Sequence, residues 1–160
     1  MAFPNLFTPL MLGNCEIKNR IVSTGHDTVL STGGLVNDRL VAYHRARAAG
    51  GCGLIIPQVA AVHHTAFYTP YLLIATDDNF IPGYRRIVEA CHAHGAKVFG
   101  QLFHPGREVS DSMDGTAALA YAPSASPSER FRTIPCEMTV DMIDEIVEGY
   151  GQTARRMVEA

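Results

Sequence analysis

Apolar residues fall along this chain in two alternating rhythms. Short continuous apolar runs occupy residues 20–24, 53–58 and 97–103, and each is followed by a longer stretch whose apolar positions recur every three or four residues. Continuous runs suit strands buried on both faces of a parallel sheet, and the longer period suits helices packed on that sheet by one face. The first helix has an N-cap at Asn37 and Asp38 and passes through Leu40, Val41, His44 and Ala48 to a stop at Gly50 and Gly51. The second opens near Ile81 and Pro82, since proline is tolerated in a first turn, buries Tyr84, Ile87, Val88 and Cys91, and ends at Gly95. The third begins at Thr139, carries Asp141, Asp144 and Glu145 near its positive end, and runs to the last residue. It sets Met142, Ile143, Ile146, Val147, Tyr150, Ala154 and Met157 on one stripe.

Ahead of the first strand, residues 10–17 place Gly13 and Asn14 between apolar and mixed segments, a small β-hairpin suited to plugging one end of a barrel. The connections 59–79 and 104–138 are long and irregular, and both follow strands, where ordered loops often carry function. Three βα units fit either a (β/α)8 barrel or a doubly wound sheet, and the pattern alone does not choose. A barrel needs about 250 residues and eight strands. The 160 residues here would supply about its first three units. The closing ARRMVEA has no Gly, Asn or Pro to end its helix, so the chain is expected to continue.

Composition narrows the function classes. With 47% hydrophobic and 18% charged residues, the balance is that of a folded globular chain. A net charge of -3 without a basic run gives no footprint for nucleic acid. No apolar stretch approaches the ~20 residues of a membrane helix, and the start lacks the basic and apolar segments of a signal peptide, so the expected location is the cytoplasm. The four cysteines, Cys15, Cys52, Cys91 and Cys136, are scattered with no CxxC pair; they are expected to be buried thiols rather than a disulfide framework or a clustered metal site.

In parallel α/β folds ligands bind beyond the carboxyl ends of the strands, so the residues delivered there matter most. They are polar: Ser23, Thr24, Gly25, His26, Asp27 and Thr28 after the first strand, Pro57, Gln58 and Val59 after the second, and QLFHPGR from Gln101 to Arg107 at the third. Alternation sets Phe99, Gln101 and Phe103 on one face and Val98, Gly100 and Leu102 on the other. Gln101 must satisfy both a carbonyl and an amide, either with neighbouring backbone or with a planar heterocycle that presents a donor beside an acceptor. Gly25 permits close approach of a ligand, although a glycine at such a turn is ordinary. His26 is the one candidate acid, against the plainer reading of a solvated loop histidine. The seven histidines lack the i, i+4 spacing of a helical zinc pair and have few acidic neighbours in sequence, so no metal site is assigned. There is no GxSxG, no GxGxxG and no P-loop.

The stretches LFTPLMLGNCEIKNRIV, RARAAGGCGLIIPQVAAV, DDNFIPGYRRIVEACHAHGAKVFGQLFHPGR, YAPSASP and IPCEMTVDMIDEIVEGYGQTARRMVEA together resemble the Old Yellow Enzyme, or NADH:flavin oxidoreductase, family, in order and over nearly the whole chain. STGHDT is closer to the branch of long flavoproteins that includes 2,4-dienoyl-CoA reductase, trimethylamine dehydrogenase and N-methylproline demethylase. The resemblance implies the amino-terminal portion, residues 1–160, of a (β/α)8 barrel preceded by a β-hairpin. It also implies FMN as cofactor, NAD(P)H as reductant, and hydride transfer to an activated alkene or oxidative demethylation of an N-methyl amine. Thr24, Gly25, His26 and Asp27 match the flavin-contacting turn, Val59 a second flavin contact, and Gln101 the glutamine that bonds the pyrimidine edge. His104 and Arg107 belong to the matched segment and are expected to organise its loop. Asp27 stands where some relatives have a flavin-linked cysteine, and Val29 where some enoate reductases have a tyrosine. The substrate-binding pair, the phosphate site, and the 4Fe-4S and FAD sites of the long relatives would lie beyond Ala160. A small-molecule substrate is expected, and helices left uncovered predict a homo-oligomer. The alternative is a non-catalytic half-barrel that assembles with itself or a partner.

Overall fold

A computed structural model describes residues 3–109 and 119–160; the part of the connection 104–138 at 110–118 lies outside the described residues. The chain opens with β1 (Leu10–Leu12) and β2 (Cys15–Ile17), an antiparallel hairpin that sets Leu10 opposite Ile17. Its turn needs a left-handed residue, and Gly13 takes φ +56° there without a Cβ clash. The elements that follow are β3 (Val22–Ser23), α1 (Asp38–Ala49), β4 (Leu54–Ile55), β5 (Ala60–Ala61) and β6 (Leu73–Ile74), then α2 (Phe80–His92), β7 (Lys97–Val98), β8 (Leu102–Phe103), β9 (Tyr121–Ala122), β10 (Cys136–Glu137) and α3 (Val140–Glu159).

The three apolar runs, with two short strands from the connection that follows the second, form two storeys of parallel sheet, ordered β3-β4-β7 below and β6-β5-β8 above. The second run supplies β4, with β5 just beyond its end, and the third supplies β7 and then β8. Pro57 stands between the storeys of the middle run and has no N–H to give a ladder. Hydrogen bonds bridge the gap, Phe99 N to Ile55 O at 3.1 Å and Ala60 N to Gln101 O at 3.0 Å. In the upper storey β6 takes the place beside β5 that β3 holds beside β4, so the chain after β3 is released into a loop. The strands are therefore shorter than the apolar runs. Among the described residues no closed barrel forms, and the architecture is an α/β one of three βα units.

The helices follow their local signals. Asn37 Oδ1 accepts from Leu40 N at 3.1 Å and Thr139 Oγ1 from Met142 N at 3.3 Å, which cap α1 and α3. Leu40 and Ala48 of α1 and Phe80, Tyr84 and Ile87 of α2 pack with Ile55 and Leu73 of the sheet into the main core. The hairpin covers the amino ends of the strands, where Ile17 is buried and Lys18 Nζ donates to the His94 carbonyl at 2.6 Å.

The α3 stripe is covered in part: Ile146 is buried, Met142, Tyr150, Ala154 and Met157 are half-buried, and Ile143 and Val147 are exposed. Two expectations are corrected. Of the cysteines only Cys91 is buried, and Cys136 lies exposed on β10. The connections read as irregular contain β5, β6, β9 and β10. No helix among the described residues is long and apolar enough to cross a membrane.

Candidate functional site

The carboxyl tips of the three runs meet above Pro57. The ladder of the first strand ends where Ile56 N donates to Ser23 O at 2.8 Å, and the chain then turns through Thr24 and Gly25. Gly25 lies directly over the Gln101 amide. A methyl at Gly25 would overlap Gln101 Oε1 and come within 3.3 Å of the Pro57 carbonyl oxygen. Gln101 Oε1 is buried and accepts no hydrogen bond from any described residue. Leaving a buried acceptor unpaired costs about 1–3 kcal/mol, so this oxygen is poised for a donor from outside the fold.

Gln58, the other glutamine at a strand tip, behaves oppositely. It is fully buried, its Oε1 accepts from both Thr28 N and Thr28 Oγ1, and its Nε2 donates to the Tyr71 carbonyl at 2.6 Å. It fastens the loop after β3 to the loop after β5, a structural role that its position in sequence did not reveal. Asp27 adds a second tie, its Oδ2 accepting from Thr69 Oγ1 at 3.2 Å. Val29 is held at φ +49°, a costly conformation for a β-branched residue, in the middle of this tied segment.

His26 is exposed but occupied. Its Nδ1 lies 2.9 Å from the Thr24 carbonyl and so donates, which leaves Nε2 to accept from the Tyr43 hydroxyl of α1. With both nitrogens engaged, it serves as a brace between the turn and α1, and Arg47 steadies the brace by stacking its guanidinium 3.3 Å from the Tyr43 ring centre.

A cavity of 430 Å³ opens beside this point, lined by Asp27, Val59, Phe103 and His104 from the three tips and by Arg130 and Phe131 from across the loops. Tyr68 meets both Phe103 and Phe131 edge to face in its wall. His104 Nδ1 accepts from Gly106 N at 3.0 Å, so Nε2 carries the proton and donates to Thr65 Oγ1 at 3.0 Å. Burial first, and then nearby His63 and His64, push the His104 pKa down to about 4 and keep the ring neutral. Arg107 Nη1 donates to Ser126 Oγ at 2.9 Å, so these two residues organise the loop, as expected. Of the six residues marked in sequence, Gly25 and Gln101 meet, Asp27 and Val59 share the cavity, Thr24 offers its carbonyl to His26, and His26 itself turns toward α1.

The family model described as "NADH:flavin oxidoreductase / NADH oxidase family" matches residues 5–160. The chain is similar to the NADH oxidase of Thermoanaerobacter brockii, 37% identical over 157 residues that make up 96% of this chain and 24% of that protein. It is similar to the N,N-dimethylglycine/sarcosine dehydrogenase of Chromohalobacter salexigens, 34% identical over 99% of this chain and 23% of that protein. Among solved structures, a 2-naphthoyl-CoA reductase superposes with a TM-score of 0.86 at 28% identity, over 98% of this chain and 26% of that one. The chain thus spans about a quarter of the length of these three proteins.

Proposed function

The chain belongs to the NADH:flavin oxidoreductase / NADH oxidase family, and from that premise we propose that residues 1–160 supply the first wall of an FMN site in an NAD(P)H-dependent oxidoreductase. The observation that carries this reading is the buried, unpartnered Oε1 of Gln101 beneath the bare Cα of Gly25. A flat ring edge bearing N–H beside C=O complements a glutamine amide, and Gly25 leaves room for the ring to approach it. Bound FMN would supply the hydride chemistry, and the protein's part is to hold and orient it. Gln101 fixes the polar edge; the Thr24 to Asp27 turn, braced by His26 on Tyr43, forms one side, and Val59 the next. Gln58 makes that wall rigid without touching the cavity. Charge at the cavity rim is mixed, with Asp27 and Glu108 facing Arg130.

The electron acceptor or donor is a small molecule of one of two classes. Reduction of an alkene conjugated to a carbonyl is supported by the likeness to 2-naphthoyl-CoA reductase, and oxidative loss of an N-methyl group by the likeness to N,N-dimethylglycine/sarcosine dehydrogenase. A 4Fe-4S cluster and FAD would belong to segments outside these residues. A cytoplasmic homo-oligomer completes the proposal, in keeping with the uncovered Ile143 and Val147 of α3. The test is to purify the product of the reading frame that carries this segment and record its visible spectrum before and after adding FMN. A yellow protein that retains FMN on desalting is expected. A colourless one that takes up none would leave a half-barrel scaffold as the better reading.

A further inference from the structure

We propose that His63, His64 and Glu145 form a binding site for a divalent transition ion of the zinc class, apart from the cavity at the strand tips. His63 and His64 follow β5, and Glu145 lies 82 residues beyond His63 in the second turn of α3. The fold brings one ligand atom of each within 4.8 Å of the others. His63 Nε2 lies 3.0 Å from Glu145 Oε1, and the two imidazole rings stand 4.0 Å apart, tilted by 45°. With metal–ligand bonds of about 2.0–2.2 Å, neighbouring ligands of a tetrahedral zinc sit about 3.3 Å apart, so the observed spacing needs only small side-chain adjustments. Two imidazoles and a carboxylate are the donor set of sites that keep a fourth position for water. A cleft of 270 Å³ lies over the three residues and has room for that water.

The cluster has a built back wall. His63 is 7% exposed and its Nδ1 lies 2.8 Å from Thr65 Oγ1, itself buried. A ligand histidine is usually held in this way, by an outer partner on its other nitrogen. The helix is also fixed close to the strand end: a Cβ at Gly149 would come within 2.6 Å of the Val62 carbonyl oxygen, so α3 approaches here as only glycine allows. Charge around the cleft favours a cation. Glu148 lines it with Glu145, and Arg156, the one cation lining it among the described residues, is engaged by Asp78 at 2.8 Å and by the Ala75 carbonyl at 3.1 Å. Without an ion, His63 carries its proton on Nε2 and donates it to Glu145, while Nδ1 accepts from Thr65 N at 3.3 Å; an ion on Nε2 requires the neutral ring's proton to move to Nδ1, where Thr65 Oγ1 can accept it.

The experiment is a calorimetric titration of the chelator-treated protein with Zn²⁺, with Mg²⁺ as the hard-ion control. One saturable Zn²⁺ per chain is expected, with no comparable Mg²⁺ uptake. His64→Ala and Glu145→Gln alter exposed side chains, so their urea midpoints without metal should match the parent, while each weakens Zn²⁺ binding at least about tenfold. Thr65→Val, which removes the outer partner of His63 together with the hydroxyl that His104 donates to, should weaken it by about 10-fold or more. His92→Ala/His94→Ala should leave it unchanged. Loading with Co²⁺ should give the visible absorption of a tetrahedral ion, lost in the His64→Ala/Glu145→Gln double variant. No saturable Zn²⁺ uptake, or uptake that survives in that double variant, would overturn the proposal.

Discussion

The two ends of the same three strands are built on opposite rules. At the amino ends the buried amide of Asn19 is spent within the fold. Asn19 is 7% exposed, its Nδ2 donates to the Gly51 carbonyl at 2.8 Å, and its Oδ1 accepts from Ile21 N at 3.1 Å. Gly53 presses so closely that a Cβ there would fall within 2.8 Å of the Asn19 carbonyl oxygen. At the carboxyl ends the chain leaves a buried acceptor unpaired, holds a valine at positive φ, and keeps a cavity open between loops. Parallel α/β folds divide labour this way, with stability at the bottom of the strands and chemistry at the top. The difference separates Gln58 from Gln101: residues of the same type at neighbouring tips, one saturated by loops and the other left for a ligand.

The largest expected effect lies at the floor. Asn19→Ala removes a buried side chain and takes the partner from a half-buried carbonyl and a half-buried N–H at once, and should lower unfolding free energy by about 4 kcal/mol in urea melts. FMN affinity of the molecules that stay folded should hardly change. A variant that keeps its stability but loses flavin would break the division between the two ends.

Acid tests how far the tips lean on the core. His44 of α1 is buried with neither ring nitrogen partnered, and burial first, then Arg47 and His26, lower its pKa to about 4 from 6.5. Its folded pKa is depressed, so the neutral ring's contribution is complete above pH 6.5 and drains away as pH falls toward 4, a loss on the order of 3 kcal/mol. Denaturant melts across that window should show the slope, and His44→Leu should flatten it, since an apolar replacement charges nothing. Next in size is Gln101→Ala, which should weaken FMN binding by about 2 kcal/mol with little change in stability. Unchanged affinity would make Gln101 a second Gln58.

What the sequence disclosed follows the range of the forces involved. Caps at Asn37 and Thr139, the Gly13 turn and the alternation that singles out Gln101 are local, and each could be read from a few neighbouring residues. The upper storey was hidden because β6 joins β5 in register only after a loop that carries no periodic signal. Gln58 was visible as a polar residue, but its partners Thr28 and Tyr71 come from two different loops. The approach of Glu145 to His63 depends on α3 crossing the end of the middle strand, which no spacing rule encodes.

The smallest predicted effect sharpens the comparison most. Gly25 has no left-handed backbone to protect, so alanine is conformationally acceptable there, and the atom its methyl would strike is the free end of the Gln101 side chain. That end can swing aside, so Gly25→Ala should alter stability by less than about 1 kcal/mol. The swing moves the one oxygen that the ligand edge would meet, and FMN affinity should fall about tenfold, roughly 1.4 kcal/mol. Because both substitutions act through the same atom, Gly25→Ala/Gln101→Ala should cost less than the sum of the two single changes. Strict additivity in a flavin titration would mean that Gly25 and Gln101 serve separate purposes, and the shared contact at the strand tips would lose its functional meaning.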